Sequence, residues 1–283
     1  MTMTLTILGC GSSGGVPRVG PNWGACDPDD PRNRRRRASV LIQRQADRGR
    51  DGEPARHNAK TSVLVDSSPD VREQLISARV GLLDAVVYTH DHADHTHGID
   101  DLRMAAFNAK RKVDVYFDAT TRASLTSRFA YCFRSNPGSD YPPILEPHDL
   151  AVGTPLRITG RGGAIEILPL DQEHGNIRSL GLRVGNVAYC SDASGLPPET
   201  VHRLRGLDVL IIGALRYIPH PAHFTVRQAL TWIERLRPKR AILTHLHIDL
   251  DYASAISAIA IEAVAQTACA AGIGTGDLTR MGL

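Results

Sequence analysis

Apolar and polar positions alternate in short bursts along this chain. Strand-like runs fall at Leu5–Leu8, Ser39–Ile42, Ser62–Val65, Ala85–Tyr88, Val113–Phe117, Ile165–Leu168, Leu180–Val184, Val187–Tyr189, Val209–Ile212 and Ala241–Leu243, each bounded by Gly, Pro or charged residues. Between some of them the apolar spacing changes to that of a helix, at Pro69–Arg79, Gly98–Ala109, Thr120–Phe129, Pro197–Leu204 and Thr225–Leu236. The first and fourth carry Pro in the first turn, where a missing N–H costs nothing. Strands grouped early and late, with helices after them, predict layered sheets covered by helices on the outside.

Three stretches break this rhythm. The segment from Gln43 to Lys60 is almost wholly polar and is expected to be a mobile hairpin tip. Phe133–Asp149, with Pro137, Gly138, Pro142, Pro143 and Pro147, reads as a second long loop of the kind that rims binding sites. After Ala253 the chain turns Ala-rich and then Gly-rich, and neither a core strand nor a function is assigned there.

Composition narrows the class. The 283 residues, 42% of them hydrophobic, suffice for one large α/β domain, and the whole chain, 1–283, is expected to act as a single hydrolase domain. No run approaches the roughly 18 apolar residues of a membrane span, and the start lacks the segments of a signal peptide, so a cytoplasmic location without membrane contact is expected. Five scattered cysteines without a Cys-x-x-Cys pair predict reduced thiols packed as small hydrophobes. A net charge of +3 does not by itself indicate a nucleic-acid binder. Five arginines between Arg32 and Arg37 are either a solvated loop entering a strand or an anion contact.

The chemistry concentrates after the strand at Ala85–Tyr88, in Thr89-His90-Asp91-His92-Ala93-Asp94-His95. Five of the six residues from His90 to His95 can ligate a metal, and a tight turn at a strand end can fan them toward one point. One ion cannot comfortably use all of them. His174, Asp192 and His245 each stand just past an apolar run, where α/β sheets present functional side chains, and are candidates to complete a second ion's ligands. His97, His220 and His247 lie near these motifs as candidates for polar rim positions. Arg103 and Arg216 are candidate phosphate partners.

The signature His90, His92, Asp94, His95 resembles that of the metallo-β-lactamase fold superfamily, and the resemblance spans most of the chain. It implies an α/β fold, a four-layer αββα sandwich of two similar halves. It further implies one metal held by His90, His92 and His174, another by Asp94, His95 and His245, Asp192 bridging the two, and Asp66 as a buried carboxylate orienting the metal loop, with the non-ligand Asp91 as the alternative anchor. Two divalent transition-metal ions are expected, zinc ahead of manganese. The opening Leu8-Gly9-Cys10-Gly11-Ser12-Ser13-Gly14-Gly15-Val16-Pro17 looks like the first loop of the phosphodiesterase branch, which holds the tRNA 3′-processing endonucleases and the cyclic phosphodiesterases of phosphonate breakdown. Ser191–Pro197 and Ala222-His223-Phe224-Thr225 are similar to segments of the latter. That similarity implies His223 as a catalytic residue acting on the phosphate, beside Asp94.

Two departures matter. The phosphonate-pathway enzymes carry a cysteine-bound structural zinc near the N-terminus, whereas Trp23–Asp27 holds only Cys26, so that site is expected to be absent. No Gly- and Pro-rich arm for gripping tRNA is evident. The expected activity is therefore a dinuclear metal-dependent phosphodiesterase acting through a metal-bridging hydroxide on a small nucleotide-like or ribose cyclic phosphodiester, with a homodimer as the expected assembly. An RNA 3′-end nuclease and a thioester or lactam hydrolase are the alternatives, because the fold does not fix the substrate.

Overall fold

In the computed structural model, residues 2–46, 59–135, 138 and 140–255 are described. The expectations for the tip of the Gln43–Lys60 hairpin, for Cys269 and for the chain after residue 255 fall outside them. The chain divides into two compact units, Met1–Leu8 with Ser39–Pro169, and Gly9–Ala38 with Leu170–Leu283.

The first unit is built on a mixed sheet of order β1-β2-β3-β4-β5-β6, comprising β1 (Thr2–Gly9), β2 (Ser39–Gln45), β3 (Lys60–Val65), β4 (Ala85–Val87), β5 (Val113–Phe117) and β6 (Leu145–Asp149). β2 and β3 pair antiparallel, and β3 through β6 run parallel. Parallel neighbours require crossovers, and the helices supply them: α1 (Val71–Ser77), α2 (Ala93–Thr96), α3 (Leu102–Ala109), α4 (Ala119–Arg128) and α5 (Ala130–Phe133). α4 begins where the Asp118 carboxylate accepts the Thr121 N–H. Leu64, Val86 and Val115 from the sheet meet Leu102, Ala106 and Leu125 from the helices in one core, all at most 6% exposed. Burying a side chain of this kind contributes roughly 1.5–3 kcal/mol, and the effect is to hold the carboxyl ends of β3 and β4 side by side.

The second unit contributes the latter part of β8 (Gly163–His174), whose first residues belong to the first unit, with β9 (Ile177–Val184), β10 (Val187–Cys190), β11 (Val209–Gly213) and β12 (Arg240–Thr244), in the order β12-β11-β10-β9-β8. β10, β11 and β12 are parallel, linked through α6 (Pro198–Arg203) and α7 (Val226–Leu236). α7 starts with a complete capping box between Thr225 and Gln228 and buries Val226, Ala229, Leu230, Ile233 and Leu236, the stripe that helical spacing predicts. The opening loop belongs to this unit too: Gly11 bridges both Arg37 and Leu246, just after β12.

Four sequence expectations change. The Phe133–Asp149 loop ends in a strand, β6, which pairs in parallel with β5 and contains Pro147. Proline, lacking a ladder N–H, is tolerated because β6 is an edge strand. A second strand without a sequence signal, β7 (Leu156–Gly160), pairs antiparallel with the first half of β8. β8 itself runs six residues past Leu168, so His174 is the last residue of a strand rather than a loop residue beyond one. The helix expected at Gly98–Ala109 opens with a tight 3-10 turn, Ile99–Asp101, before α3.

The arginine cluster resolves largely into structural contacts. Arg32 pairs with Asp30 and stacks on Tyr252. Buried Arg35 donates to Asn33 Oδ1, the Leu250 carbonyl and the His247 carbonyl. Cys10, Cys26, Cys132 and Cys190 are free and buried, as expected of packed thiols.

A tight backbone approach lies beside the site. A Cβ on Gly213, at the end of β11, would sit 1.7 Å from the carbonyl oxygen of Ser191, the residue before Asp192. Gly213→Ala is expected to destabilise the protein by roughly 1–3 kcal/mol, since backbone must move to admit the methyl. Gly185→Ala, at an open turn with φ of +56°, is expected to cost only about 1 kcal/mol. Urea unfolding of both variants measures the difference, and equal midpoints would contradict the account.

Candidate metal centre

In the first unit the metal loop hangs from one carboxylate. Asp66 follows β3 directly, is fully buried, and adopts a left-handed φ of +62°, a strained conformation for a side-chain-bearing residue. Its backbone N–H donates to the Val87 carbonyl at 2.9 Å, which locks it against the end of β4. Its oxygens accept three hydrogen bonds: from Thr89 N–H at 2.8 Å, from Thr89 Oγ1 at 2.8 Å, and from His95 Nδ1 at 2.7 Å. Burial pushes the Asp66 carboxyl up, and the His95 and Thr89 donors oppose that by favouring the charged form.

These contacts set the imidazole tautomers. With Nδ1–H of His95 given to Asp66, the lone pair lies on Nε2. Thr89 spends its hydroxyl proton on Asp66, so Oγ1 is left to accept from His90 Nδ1 at 3.0 Å, and the His90 lone pair also falls on Nε2. His92 caps the short helix α2 in an extended conformation, and the following turn carries Asp94 and His95. The His90 ring centroid lies 4.6 Å from that of His92 and 4.4 Å from that of His95, while Asp94 Oδ2 is 3.4 Å from His95 Nε2. Of the two anchors weighed from sequence, Asp66 holds a histidine. Asp91 instead accepts from Ser124 Oγ at 2.6 Å and pairs with Arg128.

The end of the loop is clasped as well. Gly98 N–H donates to the Ser67 carbonyl, and a Cβ on Gly98 would lie 2.0 Å from the Ser68 carbonyl oxygen. Ser67 Oγ and Tyr88 Oη share a 2.7 Å hydrogen bond beneath it.

The second unit gathers a matching set around Asp192. Its Oδ2 lies 3.4 Å from His245 Nε2, 3.8 Å from His174 Nε2 and 3.7 Å from His223 Nδ1. Three strand ends place these groups: His174 closes β8, Asp192 stands two residues past β10, and His245 follows β12. His245 has a left-handed φ of +59°, and Leu246 N–H donates to the Cys10 carbonyl at 2.7 Å, so the opening loop holds the strained turn. The Asp192 carbonyl accepts from Ser179 Oγ at 2.5 Å. His174 Nδ1 meets the Ala222 carbonyl at 2.6 Å, which again leaves the lone pair on Nε2.

The segment that delivers Ala222 and His223 is tied down at both ends. Phe224 N–H donates to the Ala193 carbonyl at 2.7 Å, Leu215 N–H donates to the Phe224 carbonyl, and Arg216 donates to the carbonyls of Ile218 and Pro219. Arg216 thus shapes this loop, while Arg103 sits 3.7 Å from Asp100. His220 Nδ1 accepts the Ala222 N–H at 3.2 Å. His223 packs 4.8 Å from His245 in a nearly parallel stack and 4.7 Å from His174. Burial is the main reason its imidazole falls from 6.5 to about 3, with Asp192 opposing the shift and His245 and His174 adding to it. The ring is therefore neutral at pH 7. His247 contacts Arg18 and pairs with Asp249 at 2.9 Å, while His97 packs edge-on against Phe129.

Both clusters fit transition-metal ions. Ligand atoms bound to one ion at about 2.0–2.2 Å stand about 3.3–3.6 Å apart in a tetrahedral set, close to the 3.4 Å of Asp94–His95 and of Asp192–His245. His174, Asp192 and His223 also form a group whose ligand atoms lie within 4.8 Å of one another. Sequence reasoning missed Thr89 as the relay to His90 and the Ala222 carbonyl as the anchor of His174. Thr89 was visible inside the motif; a backbone carbonyl carries no residue signal.

Comparison with known proteins agrees. A family model described as a β-lactamase superfamily domain matches residues 61–246. An octanoyltransferase of Porphyromonas gingivalis (strain ATCC BAA-308 / W83) is 33% identical over 247 residues, 86% of this chain, and the chain spans 46% of that protein. The crystal structure of a diphosphatase from the PhnP family superposes with a TM-score of 0.75 at 34% identity, covering 90% of each chain. Human tRNase Z, short form, shares the fold at 18% identity and a TM-score of 0.57, over 87% of this chain and 93% of that one. Two mixed sheets flanked by helices, a divalent-metal fold and His/Asp clusters able to bind such ions coincide here, and the chain belongs to the β-lactamase superfamily, as a metal-dependent hydrolase of the metallo-β-lactamase αββα fold.

Proposed function

We propose that this hydrolase is a dinuclear phosphodiesterase acting on a small nucleotide-like or ribose cyclic phosphodiester. The observation that carries the reading is the pair of half-sites in which the Nε2 lone pairs of His90 and His95 in one, and of His174 in the other, are preset by a hydrogen bond at Nδ1. One ion would be held by His90, His92 and His174, the other by Asp94, His95 and His245, with Asp192 shared. Nitrogen and oxygen donors without thiolate suit zinc, and manganese also. When bound, the ions supply an activated water and positive charge beside the phosphoryl oxygens.

The chain's own residues do the rest. Asp66 and the Ala222 carbonyl keep His95 and His174 in the ligating tautomer. His223 Nδ1 stands 3.7 Å from Asp192 Oδ2, too far for a hydrogen bond, so the single proton of the neutral ring can sit on Nε2, on the side open to substrate. Because burial keeps this ring neutral, His223 acts as a hydrogen-bond donor to a phosphoryl or leaving oxygen rather than as a standing cation. Its anchored loop fixes that donor in place, and preorganised donors stabilise developing charge without reorganising.

The 34% identity to a diphosphatase supports a second reading, cleavage of a phosphoanhydride at the same centre. An RNA 3′-end nuclease finds support only in a fold-level likeness. Elemental analysis combined with turnover of cyclic phosphodiesters, bis-p-nitrophenyl phosphate and a dinucleoside diphosphate separates these readings. Hydrolysis of the diphosphate alone would overturn the phosphodiesterase assignment.

His223→Ala is expected to lower turnover of bis-p-nitrophenyl phosphate by roughly 10²–10⁴-fold with metal content unchanged; loss of metal would make His223 a ligand instead. Asp66→Ala is expected to weaken metal affinity by about 10–100-fold, read by competition with a chromogenic chelator. Retention of wild-type affinity would remove Asp66 from the site's support. Stripping the ions with a chelator should abolish turnover, and added zinc or manganese should restore it; activity that survives complete removal would refute the metal-dependent reading.

A further inference from the structure

A basic cavity lies at the opposite end of the first sheet from the metal loop. β3 starts at Lys60 and ends beside Asp66, so its two ends stand about 20 Å apart at roughly 3.3 Å per residue. At the Lys60 end is a cavity of about 450 Å³, within the size range of small-molecule sites. Among the described residues that line it are four cations, Lys60, Arg79, Arg111 and Arg161, and one carboxylate, Asp84. Asp84 is already engaged: Oδ2 accepts the Ser62 N–H at 2.8 Å, and Oδ1 lies 3.7 Å from Arg111. Lys60, Arg79 and Arg161 make no ion pair or side-chain hydrogen bond among the described residues. Three cations with no such partner among the described residues line one cavity, and an anion with several charges would offset their like charge.

The frame around these cations is built rather than loose. Arg161 sits in the turn between β7 and β8, and that turn is fastened to the start of β3: Gly162 N–H donates to Thr61 Oγ1 at 3.0 Å, and Thr61 Oγ1 donates to the Gly163 carbonyl at 2.6 Å. A Cβ on Gly162 would lie 1.9 Å from the Arg44 carbonyl oxygen, so only glycine admits this approach. On the other wall, Asn108 Nδ2 donates to the Gly81 carbonyl at 2.9 Å. Val80 and Leu82 give the cavity an apolar side, and Leu82 is 49% exposed.

The geometry points to a binding site, separate from the metal clusters, for an anion that joins two or more phosphate charges to an apolar ring, such as a nucleoside diphosphate. The phosphates meet Lys60, Arg79 and Arg161, and the ring lies on Val80 and Leu82. Guanidinium groups suit this task because their planar fork matches phosphate oxygens.

Calorimetric titration of the metal-loaded full chain with the non-hydrolysable α,β-methylene-ADP tests the site, with adenosine and pyrophosphate as partial probes and Lys60→Gln/Arg161→Gln as the comparison. The expected result is a binding event at least tenfold weaker in the double variant and weaker as salt rises, with both partial probes weaker than the nucleotide. Turnover of bis-p-nitrophenyl phosphate and the circular-dichroism melt should be the same in both proteins. An identical nucleotide isotherm in the two proteins would place all binding elsewhere and overturn the proposal. So would adenosine or pyrophosphate binding as tightly as the nucleotide.

Discussion

A carboxylate sealed from water must find all its donors in the protein, and Asp66 finds three, two from Thr89 and one from His95. Each has a second consequence. The bond to His95 fixes its tautomer; the hydroxyl bond turns Thr89 into an acceptor for His90; the backbone bond sets where the loop leaves β4. One buried charge therefore converts a stretch of polar residues into a cluster with defined lone pairs. The cost of burying it is met by charge-assisted hydrogen bonds, and removing one partner would leave the other exposed to the full penalty.

The second unit reaches the same end with different parts. Asp192 is again a buried carboxylate among imidazoles, but the anchor for His174 is a backbone carbonyl, supplied by a loop that Phe224 and Arg216 hold closed. Two left-handed residues, Asp66 and His245, turn the chain sharply at strand ends. Such strain persists only where neighbours over-determine it, and here the bonds to Val87 and to Cys10 do so. His223 shows what this crowding does to chemistry: surrounded by His174, His220 and His245, its ring stays neutral, which suits donation of a hydrogen bond better than delivery of a standing positive charge.

The basic cavity at the start of β3 rests on similar reasoning with the opposite sign. Cations without a carboxylate partner among the described residues line it, Arg161 is set by a turn that only glycine permits, and the length of a strand separates them from the metal loop. No helix among the described residues is long and apolar enough to cross a membrane.

Much of this was legible in the chain itself. The run His90–His95 announces metal binding because few other pressures place so many ligands together, and every central strand follows from its apolar alternation. The anchoring role of Asp66 was readable through family resemblance. What the sequence could not show were β6 and β7, edge strands with little alternation or with proline, where the burial that normally writes the pattern is weakest. Nor could it show which partner each imidazole nitrogen takes, that Ala222 contributes through its carbonyl, or that His223 is neutral. Those properties belong to distances between residues remote along the chain, and they come into being only when packing has excluded water and left each polar group one place to turn.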